Sequence, residues 1–418
     1  MTVRITTLPN GLRVVSEYMP HVRTACIGVW TDVGARHETE SESGLSHMLE
    51  HMAFKGTQLR SAQAIAEEIE NVGGHMNAYT SREHTTYFTR VLKEDLPLAA
   101  DILADILLNS AFDEKELVRE KDVILQEIAQ TNDTPDDLVF DMLQETAFPD
   151  QAMGRSILGT SERVRAFTRD DLVTYMSGHY RGEGMVLAVT GDVDHEYVVN
   201  LVKSAFVKFE AKKVSTYEPA VFKGGDRRLF RPLEQLHLTL GFPACSFTDD
   251  DYYALQVYSM ILGGGMSSRL FQEIRENRGL AYSVYSFAAS HADSGMLGIY
   301  TGTSTELGGP VMPVIADEMK KLTDGPKEAE LSRARTQLKA GLLMSLESTS
   351  SRAEQIGRQM LIFGRVIPME ELVASVDAVD FDAVRRVAEN VLEGPMALAS
   401  VGEATTMPNE DKAQAMFR

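Results

Sequence analysis

The chain repeats one plan twice, and that repetition limits its fold more tightly than any single motif does. Residues 67–74 (EEIENVGG) match residues 273–280 (EIRENRGL), and each run is followed by alternating residues that read as strands, 75–91 and 281–301. Next, Glu116-Leu117-x-Arg119 is matched by Glu330-Leu331-x-Arg333, each opening a long helical stretch. Residues 185–193 (MVLAVTGDV) then match 396–404 (MALASVGEA), a buried strand ending in a Gly-acid turn. Each copy reads as strand, helix, helix, strands, several helices, strand, an α+β layer arrangement of roughly 200 residues. At 418 residues the chain is too long for one ordinary core. The expected division is an N-terminal domain over 1–210, a linker over 211–225 (AKKVSTYEPAVFKGG) with mixed charge, a proline and a closing glycine pair, and a C-terminal domain over 226–418.

Charge and composition exclude several partners. A net charge of −20 repels nucleic acid and anionic membranes and favours cationic ligands such as basic peptides. No apolar run approaches the ~20 residues of a membrane span, and residues 1–20 lack a signal-peptide pattern, so a cytoplasmic protein with no membrane partner is expected. Cys26 and Cys245 are the only cysteines and lie far apart, which fits two reduced thiols and neither a disulfide framework nor a Cys-x-x-Cys site.

The chemistry concentrates in His47, Glu50 and His51. On an α-helix, residues three and four apart share a face, so two imidazoles and a carboxylate point into one small volume. A Zn²⁺ ion takes nitrogen or oxygen ligands at about 2.0 Å and keeps a position open for water, and hydrolysis needs a carboxylate beside that water. The order His-x-x-Glu-His inverts the commoner zinc-protease run. With ten histidines in the chain, the pentapeptide alone leaves open a helix carrying two incidental histidines. The second copy acts as an internal control, because its equivalent helix, 251–262 (DYYALQVYSMIL), has neither histidine nor glutamate. A further helix is expected over 113–129, with Asp113 as N-cap, Glu116 in the capping box and Leu117, Ile124 and Ile128 on the buried stripe. Glu120 and Glu127 lie two turns apart near that stripe, where an unpaired carboxylate is costly unless a cation or solvent meets it. In the second copy Ala334 and Gly341 replace them. Acids and histidines that vanish together point to one shared site.

These motifs resemble those of the M16 metallopeptidases, the pitrilysin or inverzincin group, and among them the bacterial relatives of the mitochondrial processing peptidase β-subunit. The resemblance covers essentially the whole chain. It rests on residues 44–57 (GLSHMLEHMAFKGT), 73–87 (GGHMNAYTSREHTTY), the Glu120/Glu127 pair and 263–286 (GGGMSSRLFQEIRENRGLAYSVYS). It implies two tandem homologous α/β-sandwich domains that form a clamshell, and a zinc endopeptidase acting on peptides or unfolded segments inside a closed chamber. It further implies one Zn²⁺ per chain held by His47, His51 and Glu127, with water in the fourth position and Glu50 as the general base. Glu120 would orient a ligand or support the active conformation.

The same resemblance assigns substrate contacts. Asn77 and Ala78 would lie on an edge strand that pairs with bound peptide. Arg275 and Tyr282 would hold substrate carbonyls or the tetrahedral oxygen, although by themselves they read as a surface charge and a packed strand residue. Phe54 would line the pocket after the cut, against a plain reading as core. Asp137 and Asp141 would bind an arginine upstream of the cut, giving a preference for basic substrates, against a plain reading as a solvated helix face. His84 departs from the family pattern; its strand setting and that of His75 argue against further ligands. Residues 262–266 (LGGGM) lack the phosphate-loop order and read as a turn between helices. Smaller members of the family pair as homodimers, so a homodimer is expected. Two rivals are a noncatalytic scaffold homologue, which would lose ligands or base, and a subunit that acts only beside a different partner chain.

Overall fold

A computed structural model of the chain describes residues 3–206, 209–211 and 216–418, so residues 212–215 of the expected linker lie outside the described residues. Strands β1 (Val3–Thr7), β2 (Arg13–Tyr18), β3 (Thr24–Thr31), β4 (His75–Thr80), β5 (Thr85–Leu92) and β6 (Met185–Gly191) form one sheet in the order β1-β2-β6-β3-β5-β4. Strands β7 (Gly225–Leu229), β8 (Gln235–Pro243), β9 (Ala281–Ser290), β10 (Gly295–Ser304) and β11 (Ala397–Val401) form the other, in the order β7-β11-β8-β10-β9. The second order is the first without its outermost strand β1. Each sheet also has one parallel pair, β2 with β6 and β7 with β11, and antiparallel neighbours elsewhere. The duplication read from the sequence is thus repeated in strand order and direction.

Five helices of the first half matter for the site: α1 (Leu45–Ala53), α2 (Ala62–Asn71), α3 (Leu96–Leu108), α4 (Glu114–Asp133) and α5 (Pro135–Ala147). Helix α4 starts as expected, with Asp113 Oδ1 accepting from the Lys115 and Glu116 N–H groups, and runs four residues beyond the predicted end at 129. The chain divides into two compact units. Unit 1 comprises Met1–Ile128, Arg155–Glu218 and Met344–Ile367; unit 2 comprises Ala129–Gly154, Pro219–Leu343 and Pro368–Arg418.

Within each unit both faces of the sheet are covered, which explains why β3 and β6 are buried almost throughout. Successive residues point to opposite faces. In β6, Leu187 and Val189 pack with Met48, Ile102 and Leu103 on one face, and Val186 and Ala188 pack with Ala353, Ile356 and Met360 on the other. That second cover is the helix Thr349–Phe363, which comes from the second copy. In unit 2 the corresponding cover is α5 from the first copy, where Val139 and Leu143 meet Ala397 and Ala399. The two copies have therefore traded equivalent helices.

The traded helix in unit 1 is pinned by polar contacts as well. Arg352 forms a buried ion pair with Glu17 of β2, the Trp30 Nε1–H donates to Glu354 Oε2 at 2.9 Å, and the Thr190 hydroxyl donates to Thr349 O at 2.7 Å. Gly357 lies against the Trp30 indole so closely that a Cβ there would sit 2.2 Å from the ring, so the helix can dock only with glycine at that point.

Candidate metal centre

Helix α1 carries the inverted motif, and its start is fixed from below. Gly44 adopts φ +94°, and a Cβ at this position would fall 2.7 Å from Leu158 O. The buried Glu38 carboxylate accepts from the Gly44 N–H at 2.8 Å and the Ser46 N–H at 2.7 Å, satisfying donors that the helix itself leaves free. Burial pushes the Glu38 carboxyl up to about 7, against those same hydrogen bonds. The Ser46 hydroxyl in turn lies 2.7 Å from the Tyr175 hydroxyl.

His47 and His51 project from one face of α1 with ring centroids 4.6 Å apart. Across from them, Glu127 on α4 places Oε2 3.6 Å from His47 Nε2 and Oε1 3.6 Å from His51 Nε2. Both separations are too long for hydrogen bonds. They match a cation in the middle, since two bonds of about 2.0–2.2 Å meeting at a tetrahedral angle span about 3.4 Å. All three ligand atoms lie within 4.8 Å of one another, and no other such group of histidine, cysteine and acid side chains occurs among the described residues. Burial, then the neighbouring His51, pushes His47 down to about 4, so it is neutral at pH 7, as a ligand must be. The residues therefore fit a divalent metal ion.

The surroundings fix this set. Glu120, buried on α4, places Oε2 3.0 Å from His51 Nδ1 and Oε1 2.8 Å from Lys55 Nζ. A carboxylate only accepts, so His51 carries its proton on Nδ1 and turns the Nε2 lone pair toward Glu127. Glu50, between the histidines in sequence, accepts at Oε2 from the Thr80 hydroxyl at 2.6 Å. Burial raises its carboxyl above the ordinary value, with Thr80 opposing. Lys55 and Thr80 were missed in the sequence. Lys55 was visible as the i+4 neighbour of His51, whereas nothing local linked Thr80 to Glu50.

The expected substrate residues are placed as follows. Strand β4, with Asn77 and Ala78, is the open edge of its sheet, and the Ala78 N–H donates to Asn77 Oδ1 at 2.9 Å. Phe54 ends α1, half-buried, with its ring 6.3 Å from Tyr87. In unit 2, Arg275 sits on a π-helical turn, Phe271–Asn277, and Tyr282 on the edge strand β9. The guanidinium lies 4.4 Å from the Tyr282 ring and donates to Tyr282 O at 3.2 Å, and the tyrosine is 75% exposed. Asp137 and Asp141 lie on α5, the first exposed and the second half-buried. His84 contacts the Tyr79 hydroxyl at 3.2 Å and the Ser81 hydroxyl at 3.1 Å, so both ring nitrogens are occupied, and His75 is exposed on β4.

Two imidazoles and a carboxylate spaced for one cation, carried on a duplicated α+β frame, point to the class of metallopeptidases. Residues 13–161 match the family described as Insulinase (Peptidase family M16), and residues 166–338 match the Peptidase M16 inactive domain. The chain belongs to peptidase family M16. It is 42% identical to an uncharacterized zinc protease of Streptomyces coelicolor, over 96% of this chain and 90% of that one. It is 41% identical to a probable mitochondrial-processing peptidase subunit beta of Arabidopsis thaliana, over 98% of this chain and 80% of that one. A crystal structure of a protease from Helicobacter pylori shares the fold with a TM-score of 0.90 at 24% identity, covering 96% of this chain and 99% of that one. The inactive-domain match agrees with the loss of histidines and acids from the second copy. No helix among the described residues is long and apolar enough to cross a membrane.

Proposed function

We propose that the chain is a zinc-dependent endopeptidase that cuts peptides or unfolded segments inside a chamber closed by its two halves, with one Zn²⁺ per chain on His47, His51 and Glu127. The observation that carries this reading is the pair of 3.6 Å separations between the two Nε2 atoms and the two Glu127 oxygens. When bound, zinc would supply Lewis-acid chemistry, acidifying a water molecule and polarising the scissile carbonyl. Glu50 would accept a proton from the attacking water and pass it to the leaving nitrogen. Glu120 holds His51 in the tautomer that ligation needs.

Asn77 and Ala78 on the open edge of β4 align the peptide through its main chain, largely regardless of sequence. Arg275 and Tyr282 supply donors to substrate oxygens, and Phe54 lines the pocket after the cut. Asp137, Asp141 and the net charge of −20 favour basic, arginine-containing substrates. In this reading residues 1–210 carry the chemistry and 226–418 hold substrate, and the working form is a cytoplasmic homodimer. One relative's name, a processing peptidase subunit, favours a second reading in which the chain acts only beside a different partner; turnover by the purified single chain would exclude it. The main test is metal analysis with peptide cleavage for the wild type and Glu50→Gln. Retained zinc with turnover lowered by roughly 10²- to 10⁴-fold is expected. A variant that cleaves at the wild-type rate would overturn Glu50 as the base.

A further inference from the structure

Thr80 is the last residue of β4, the open edge of its sheet, and it faces the catalytic helix. Its hydroxyl donates to Glu50 Oε2 at 2.6 Å. A residue of the edge strand thus contacts the proposed base directly. The strand end is itself held firmly. Tyr79, pointing to the opposite face, donates its hydroxyl to Glu354 Oε1 at 2.5 Å, and the next turn is closed by the Ser81 N–H donating to His84 O at 2.8 Å. Across the pair, Thr85 donates its hydroxyl to Val33 O at 2.9 Å. A glutamate has three rotatable side-chain bonds, and among the described residues no donor from another residue reaches this carboxylate.

We propose that Thr80 is the positioning residue for Glu50, its hydroxyl fixing the rotation of the carboxylate so that an oxygen stays aimed at the attacking water. The proposal rests on the reading of Glu50 as the base. Among the described residues the Thr80 hydroxyl forms no hydrogen bond with His47, His51 or Glu127, so in this proposal it acts through Glu50. It also ties the strand expected to hold peptide to the group expected to move the proton, so the distance between bound peptide and base is set by one side chain.

The test compares Thr80→Val, which keeps the β-branched shape that suits a strand, with Thr80→Ser, which restores the hydroxyl. Thr80→Val is expected to lower kcat on the order of 10- to 100-fold, as a misplaced reacting group does, with KM unchanged. Zinc affinity, measured on the metal-free protein by competition with a chelator, is expected to stay at the wild-type value, and Thr80→Ser to recover most of kcat. Peptide affinity, read on the inactive Glu50→Gln background, should not respond to Thr80→Val. A wild-type kcat for Thr80→Val beside an inactive Glu50→Gln overturns the proposal alone, as does a loss confined to KM or peptide affinity, which would mark a purely structural strand residue. Retained turnover in Glu50→Gln overturns the base reading, and this proposal with it.

Discussion

Glu120 shows how much of this site is decided by single side chains behind the candidate ligands. It is buried, and its two oxygens are shared between His51 and Lys55. Glu120→Gln would put a neutral amide opposite Nδ1 and weaken the hold on the tautomer, so zinc affinity is expected to fall by roughly 10- to 100-fold, measurable by chelator competition. Lys55→Met leaves the buried carboxylate with only a histidine partner and should move affinity in the same direction. Glu38 gives a pH-dependent counterpart. Its carboxyl titrates near 7 in the folded protein against about 4.5 unfolded, so between those values the folded chain holds the extra proton. Stability should therefore fall as pH rises from 4.5 to 7, by roughly 3 kcal/mol from this group, and be level above 7. Denaturation of Glu38→Gln across that range should lose this slope relative to wild type.

At the scale of elements, the helix Thr349–Phe363 is the one whose docking can be broken by a named pair. Arg352 and Glu17 are both almost fully buried, so Arg352→Met leaves a carboxylate without its cation and is expected to cost roughly 3–5 kcal/mol. The double variant with Glu17→Leu should recover most of that loss, because two apolar side chains replace two charges. Trp30 is the only tryptophan and contacts this helix through Gly357 and Glu354, so its fluorescence reports the event directly. Such docking was not legible in the sequence. The capping of α4 by Asp113, the α1 motif and the strand β4 were, because caps, helical spacing and alternation are local signals; its open edge was implied by the family resemblance alone. An amphipathic helix declares that it has an apolar face but not which sheet will cover it. Thr80 with Glu50, thirty residues apart, escaped for the same reason.

Across the whole molecule, the duplicated sheets were predicted by repeat alone, whereas the trade of α5 for its counterpart Thr349–Phe363 was visible only in the folded chain. It makes a prediction about fragments. Residues 1–210 produced alone would expose the sheet face formed by Val15, Cys26, Trp30, Val186 and Ala188. That fragment is expected to aggregate or stay loosely folded, and co-production with 211–418 to restore a zinc-binding, cooperatively melting protein; a fragment that melts cooperatively by itself would refute this. The exchange also bears on how the chain is made. Unit 1 holds the candidate catalytic residues from early in the sequence, but its second sheet face is not covered until about residue 363 has left the ribosome. A nascent chain of this design is expected to carry its metal-binding residues long before it can seal the sheet beneath them.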